Sequence, residues 1–410
     1  MTLSDGLAPA SLTSHQWLIW RYYAYRCAVN NGFFLAVGIL YIQDRGLGLD
    51  VVGFTQAAFF VAILALQIPS GYVGDRIGHR NALVLGSIAV TLVMLLYPLG
   101  SSLLTFALLY VLWGFGWAFD TGAREAWLYE ILDERSDAGQ FARISGRGEM
   151  FNMLGSALTA GVAGVLFTVD PALPFLANAA LTALAVPILL SLPADSPGAA
   201  ESRFSVRDAT RVLSMQVQRA DVRWFVLYIA LFYALFDVTR AYEQPAATEV
   251  GVSVVALGVL YSGFKLVSAA ASSLAGPLYE RFGVRSVFVL LLPVTGVSYS
   301  LILVRPELVI LVFFVARSLR AVTAPIQNQY FNDRLGDAGR ATVLSGISMT
   351  LSAAGVGAHV FGALLSPRLG SVALIMTAGT GLVVVATIVW VTTAPVRRDQ
   401  RKEKKVRPSI

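Results

Sequence analysis

Gly71-Tyr-Val-Gly-Asp75-Arg76-Ile-Gly78-His-Arg80 returns 205 residues later as Gly276-Pro-Leu-Tyr-Glu280-Arg281-Phe-Gly283-Val-Arg285. Both copies place a glycine four residues before an acid–arginine pair, then a second glycine and a further arginine. They align without a gap. A polar signature repeated at half the length of a 410-residue chain divides it into two like halves, as parallel repeats divide a transporter. Either copy alone also reads as a solvated loop with a turn glycine. The second copy favours a shared conformational role.

Outward from these loops the chain is apolar, 56% hydrophobic and 14% charged. Soluble domains carry roughly 45–50% apolar and about 25% charged residues, so a water-soluble globule and a disordered chain are both excluded. A spanning helix takes roughly 20 residues. Runs bounded by charge, Gly or Pro predict six helices at Trp17–Ile42, Val51–Ser70, Ala82–Leu99, Leu103–Ala123, Met150–Val169 and Ala172–Leu192. Six more follow at Trp224–Pro245, Ser253–Pro277, Ser286–Val304, Leu308–Pro325, Val343–Leu365 and Ser371–Pro395. The expected organisation is a polar leader 1–16, a bundle 17–192, a linker 193–223 with five Arg, a bundle 224–395 and a basic tail 396–410. The leader has no basic segment followed by a short apolar stretch, so no cleaved signal peptide is expected. The fold class is all-α membrane protein, twelve transmembrane helices in two pseudo-symmetric six-helix bundles.

Orientation follows from the bases. Of 31 Lys and Arg, 22 lie in the even-numbered connections, the middle linker and the tail. The opposite connections hold only Arg45, Arg305 and Arg368, and six bases fall within spans. Positive loops stay inside, so both termini are expected in the cytoplasm, with the chain in the cytoplasmic (inner) membrane. The tail then reads as a topology signal and a contact with anionic lipid, not as a nucleic-acid segment. The lone Cys27 excludes an intramolecular disulfide and a thiolate cluster. His15, His79 and His359 lack metal-ligand spacing, and no phosphate-cradling Gly-x-x-x-x-Gly-Lys-Ser/Thr loop is present. No enzyme activity, metal or cofactor is expected. The expected partners are the lipid bilayer, a small-molecule substrate and a coupling ion, with the chain as a monomer.

The stretch Gly71 to Arg80 resembles the loop between the second and third helices of the major facilitator superfamily, Gly-x-x-x-Asp-Arg-x-Gly-x-Arg. The resemblance covers essentially the whole chain. It implies two bundles around a central cavity, alternating access, and a charge relay that steadies the outward-facing state. That role is carried to Gly71, Asp75, Arg76, Gly78 and Arg80, and more loosely to Glu280, Arg281, Gly283 and Arg285. Asp75 is expected just beyond a helix end, facing a helix N-terminus or an arginine of the partner bundle. The stretches Gln67 to Gly71, Gly122 to Glu130 and Arg340 to Ser345 resemble an under-described microbial branch of the same superfamily. The fifth helix, Ala160-Gly161-Val-Ala-Gly164-Val, lacks the Gly-Pro-x-x-Gly-Gly stretch frequent in drug–proton antiporters. By the same resemblance the first, fourth, seventh and tenth helices line the cavity, and the fifth and eighth meet between bundles.

Ionisable groups at membrane depth cost about 2.5–3.5 kcal/mol on insertion scales and mark function by default. The deep groups are Arg26, Asp120, Asp237, Arg240, Lys265, Arg317 and Arg320, five bases and two acids, a formal +3. Arg21, Arg124 and Glu243 lie nearer the interfaces, where they can snorkel. Asp237, Arg240 and Gln244 fall on one face of the seventh helix, Arg317 and Arg320 on one side of the tenth, and Arg26 with Asn30 on the first. Asp237 with Arg240, and Asp120 with Arg124, also read as local pairs that neutralise themselves. Arg317 and Arg320 have no acid within a turn.

A basic cavity suits carboxylates or phosphates, which Arg forks recognise. The candidate substrate-binding residues are Arg26, Asn30, Trp117, Arg240, Gln244, Lys265, Arg317 and Arg320. The candidate proton-coupling residues are Asp120, Asp237 and Glu243, the carboxylates whose protonation burial can tune. The chain is expected to be a secondary transporter, proton-coupled, moving a small anionic or zwitterionic organic solute. Two alternatives stay open. One is a multidrug/proton antiporter exporting lipophilic compounds; the other is a non-transporting receptor or scaffold.

Overall fold

In a hydrocarbon medium every backbone amide must be satisfied inside the protein, so each apolar run closes into a helix. The computed structural model describes residues 14–135, 138–194, 220–334, 340–393 and 395–396. Among them no strand occurs, and twelve helical spans are long and apolar enough to cross a membrane. The first span is two helices, Ser14–Ala28 and Gly32–Asp44. The second to sixth are Leu49–Ile77, His79–Leu96, Leu103–Asp133, Phe141–Val169 and Leu173–Leu190. The seventh to twelfth are Ala220–Glu249, Val254–Ser273, Ala275–Val304, Val309–Arg334, Arg340–Leu369 and Ser371–Thr393. Most of the expected leader, linker and tail lies outside the described residues.

Three departures from the sequence expectations matter. The first span breaks between Ala28 and Gly32. There the Asn30 amide donates to the Cys27 carbonyl (2.7 Å) and its oxygen accepts the Gly32 N–H (3.1 Å), standing in for lost helical bonds. Several helices also run past the apolar segment, carrying Arg124, Glu149 and Asp75 on helical turns. Asp75 is therefore inside the second span, and the chain turns at Gly78 instead. Gly78 (φ 87, ψ 142) and Gly283 (φ 71, ψ 167) hold the same place in the two repeats and share a backbone region that side chains disfavour. The ninth span accordingly kinks at Gly283.

The buried apolar residues fork. One cluster joins both bundles in the half of the molecule away from the basic connections, mixing Phe34, Tyr97 and Trp113 with Tyr242, Leu257 and Phe313. In the half carrying the basic connections there are two separate clusters. One holds Tyr22, Trp127 and Leu189 of the N-terminal bundle. The other holds Phe225, Phe288 and Tyr330 of the C-terminal bundle. We call these halves the Arg-poor and basic halves. The bundles share a core at one end and part at the other.

Candidate functional site

Two seams seal the Arg-poor half. Where the second span meets the eleventh, a Cβ on Gly53 would sit 2.5 Å from the His359 carbonyl and 2.6 Å from the Ala363 nitrogen. Phe60 lies against the His359 ring at 5.2 Å. His359 is fully buried, and both its ring nitrogens lack hydrogen-bond partners among the described residues. Where the fifth meets the eighth, a Cβ on Gly258 would sit 2.5 Å from the Ala160 carbonyl, and Ser262 donates to the Ala157 carbonyl at 2.6 Å. Small residues permit this approach of backbones. Gln244 clamps the seventh span to the first: its oxygen accepts the amides of Ile39 (3.0 Å) and Leu40 (2.9 Å), and its nitrogen donates to the Leu35 carbonyl (2.8 Å).

Charged side chains fill the region where the seams part. In the C-terminal bundle Arg317 donates to Glu243 through two bonds, Nε to Oε1 at 3.0 Å and Nη2 to Oε2 at 2.5 Å. Such a fork is the strong form of the ion pair. Glu243 is 2% exposed, so it does not snorkel to an interface as its place in the sequence suggests. The Arg317 guanidinium also lies 5.6 Å from the Tyr261 ring and 5.1 Å from the Phe264 ring. Arg320 sits over Tyr233 at 3.6 Å. Arg240, 43% exposed, approaches Asp237 at only 3.8 Å. It stands within electrostatic reach of Tyr110 on the fourth span, of His359 and of Lys265. Lys265 makes no hydrogen bond or ion pair with a described residue, although Arg317, Arg240 and Glu149 are all near it.

The N-terminal bundle answers with neutral pairs. Buried Arg26 donates to Glu149 at 2.5 Å. Arg124 donates to Asp120 at 2.5 Å, and the Tyr25 hydroxyl donates to the other Asp120 oxygen at 2.6 Å. Glu149, Arg124 and Glu243 join the seven deep groups here, so the formal surplus is +2 and not +3. Trp117 is half-exposed beside Phe59.

The structure reassigns two expected substrate contacts. Asn30 is buried, bonded to Cys27 and Gly32 and accepting from Thr159 at 2.7 Å, so it braces the broken first span. Gln244 is equally buried and holds the bundles together. Among the proton-coupling candidates, Asp120 and Glu243 are each locked to an arginine within 2.5 Å, whereas Asp237 is held loosely. Sequence reasoning missed Glu149, which falls one residue before the expected start of the fifth helix. An arginine with no nearby acid, Arg26, is the signal that could have found it. Tyr25, which also answers Asp120, is fully buried.

The repeated loops lie on the basic face. Asp75 reaches His79 of its own loop at 3.5 Å, and among the described residues it pairs with no arginine of the partner bundle. Arg76 lies over Tyr72 at 4.6 Å, and Arg80 donates to the Leu192 carbonyl at 2.9 Å. In the second copy Glu280, Arg281 and Arg285 are exposed, with Arg281 over Phe282 at 5.6 Å. Nothing lies within 4 Å of a Cβ built on Gly71 or Gly276. No other helix approaches either glycine closely among the described residues.

The sequence profile of the Major Facilitator Superfamily matches the chain twice, over residues 23–244 and 238–410. The chain is 21% identical over 238 residues to the uncharacterized MFS-type transporter YxaM of Bacillus subtilis (strain 168). That alignment covers 56% of this chain and 58% of the relative, so the chain spans little more than half the relative's length. Its fold is similar to that of a mutant of the nucleoside transporter NupG, with a TM-score of 0.77 at 12% identity, covering 92% of this chain and 99% of that one. It is also similar to a bacterial homologue of the human lysosomal transporter Spinster in an inward-facing and occupied conformation. There the TM-score is 0.69 at 15% identity, covering 96% and 98% of the two chains. The forked core, the repeated loops and these matches agree: the chain belongs to the major facilitator superfamily.

Proposed function

We propose that the protein is a secondary active transporter that carries a small organic solute across the cytoplasmic membrane by alternating access, coupled to protons. The observation that carries this reading is the fork. A core shared by both bundles at the Arg-poor end, parted at the basic end around charged side chains, is one of the two states that alternation requires. With the basic loops inside the cell, both termini are cytoplasmic and the cavity opens inward. The repeated loops stand apart from the closed seams, on the face that comes together when the basic end closes. The working unit is a monomer.

The substrate class follows from electrostatics. The C-terminal bundle carries the surplus charge, so an anionic or zwitterionic solute is favoured there. Coupling is assigned to Asp237, because its 3.8 Å contact with Arg240 is open to competition by a substrate anion. Protonation of Asp237 then accompanies transfer of Arg240 to the substrate. Export of lipophilic cations would need an acid free of bases, and Asp120, Asp237 and Glu243 each face an arginine.

The test is flux in vesicles reconstituted with the purified protein. Organic anions and zwitterions should accumulate under an inward-directed proton gradient, and Asp237→Asn should abolish accumulation while leaving exchange intact. Ligand binding without accumulation under any gradient points to a receptor and sinks the reading.

A further inference from the structure

We infer that the cavity binds a dipolar ion, its carboxylate on Lys265 of the C-terminal bundle and its ammonium on Glu149 of the N-terminal bundle. The inference rests on the transporter reading and names the substrate class at that site.

The fifth and eighth spans are in backbone contact from Gly164 and Val254 down to Ala157 and Ser262. Beyond Ala157 and Ser262, toward the basic end, no hydrogen bond joins the two spans among the described residues. Lys265 follows Ser262 by one turn, and Glu149 precedes Ala157 by two. Opposite charges therefore stand on opposite bundles just where the seam opens, within electrostatic reach of each other and without direct contact.

Each of the two has capacity left. Lys265 has no hydrogen-bond or ion-pair partner among the described residues, and its neighbours Arg317 and Arg240 add positive charge. A bare cation at membrane depth, beside two others, is a vacancy for an anion. Arg317 is committed to Glu243 by two bonds, which leaves Lys265 with exposed Arg240 as the available donors. Glu149 gives Oε2 to Arg26, while its other oxygen makes no hydrogen bond with a described residue and the side chain is 48% exposed. A carboxylate has about four acceptor positions, so an ammonium can join Arg26 there.

A simple anion satisfies only one wall. With its carboxylate on Lys265, its body extends toward Glu149, where a second negative group is repelled and an apolar end leaves the carboxylate unanswered. A dipolar ion satisfies both walls and is itself neutral. Because the walls belong to different bundles, such a ligand also ties them together across the open seam. Occupancy thereby favours closure of the basic end, the differential interaction that a conformational change requires.

The experiment uses the full-length protein in detergent, with binding read by equilibrium dialysis and thermal unfolding. The probes are radiolabelled amino acids from α to ω, each with its N-acetyl derivative (anion only) and its methyl ester (cation only). For the best-bound amino acid, both derivatives should bind roughly tenfold or more weakly. Lys265→Met should weaken the amino acid and its N-acetyl derivative alike, and Lys265→Arg should restore both. Glu149→Gln should weaken the amino acid alone and bring its preference over the N-acetyl form close to unity. An N-acetyl form that binds the native protein as well as its amino acid overturns the inference, as does a preference unchanged in Glu149→Gln. So does a panel in which nothing binds. Monodisperse elution of each variant separates lost binding from lost fold. Counterflow in vesicles keeps the two claims apart: binding of this pattern without counterflow refutes transport and leaves the site standing, whereas counterflow of anions without the dipolar preference does the reverse.

Discussion

The two bundles share a fold and a loop signature, yet they treat charge differently. In the N-terminal bundle Arg26 is matched to Glu149 and Arg124 to Asp120, and the wall is neutral. In the C-terminal bundle Arg317 takes Glu243 into a closed fork, Asp237 is held loosely by Arg240, and Lys265 and Arg320 are left over. Arg320 is sheltered on an aromatic face. Lys265 is not. The difference separates charges that build the bundle from a charge that waits for something else, and it confines the surplus to one wall.

The largest effect should come from breaking the fork. Glu243→Gln leaves the Arg317 guanidinium buried without its counter-charge, a change that costs roughly 3–5 kcal/mol when one partner of a buried pair is removed. Its counterpart Glu149→Gln also strips a buried guanidinium, Arg26, of its counter-charge, but the carboxylate removed is half-exposed and Gln keeps an acceptor there, so a smaller loss of about 1–3 kcal/mol is expected. Thermal unfolding in detergent measures both. Equal losses would erase the distinction between the walls, since Glu149 would then be as structural as Glu243.

The next prediction sharpens what the bundles have in common. Gly78→Ala and Gly283→Ala each force a side chain into a disfavoured backbone region, at about 1–3 kcal/mol. The two losses should match, because the glycines occupy equivalent places with φ of 87 and 71 degrees. If only Gly78→Ala is destabilised, the second copy of the signature has lost its structural role along with its Asp.

How much of this could be seen in the chain beforehand depends on the range of the interaction. Apolar runs and basic loops are local signals, and all twelve spans lie where those runs predict them. The paired glycines were legible because the signature repeats. The partner of Arg317 was not, since Glu243 is 74 residues away and belongs to another helix. Only the need for an acid could be inferred, from the absence of one within a turn. Asn30 and Gln244 share a helix face with charged residues, and that face pattern suggested substrate contact. It cannot say that a break in the first span would claim Asn30, or that the backbone amides of Ile39 and Leu40 would claim Gln244. Those partners arise from helix discontinuity and bundle closure, which apolar periodicity does not encode.

Lys265→Met reverses the sign of the first prediction. Replacing an unpaired cation with an apolar side chain of similar length removes a desolvation cost, so unliganded stability should hold or rise by about 1 kcal/mol. Loss of stability on the scale of Glu243→Gln would mean that Lys265 is structural, and the contrast within the C-terminal wall would collapse.

The smallest effect on stability should come from Gly71→Leu and Gly276→Leu, and it is the most informative about motion. Both positions have open space where a side chain would go, so each substitution should change unfolding by less than about 0.5 kcal/mol, as for surface sites generally. The same substitutions should slow vesicle exchange, because the proposed alternation would bring the basic ends of the second and ninth spans against the opposite bundle, where a small residue permits close approach. A transport defect without a stability defect locates the glycines in the closed basic end of the cycle. If both variants exchange at the native rate, the small residues serve no closing contact, and the loops' only shared element is the turn at Gly78 and Gly283. A defect in Gly71→Leu alone would extend the asymmetry of the bundles from their charges to their moving ends, with the Asp75 copy gating and the Glu280 copy left as a hinge.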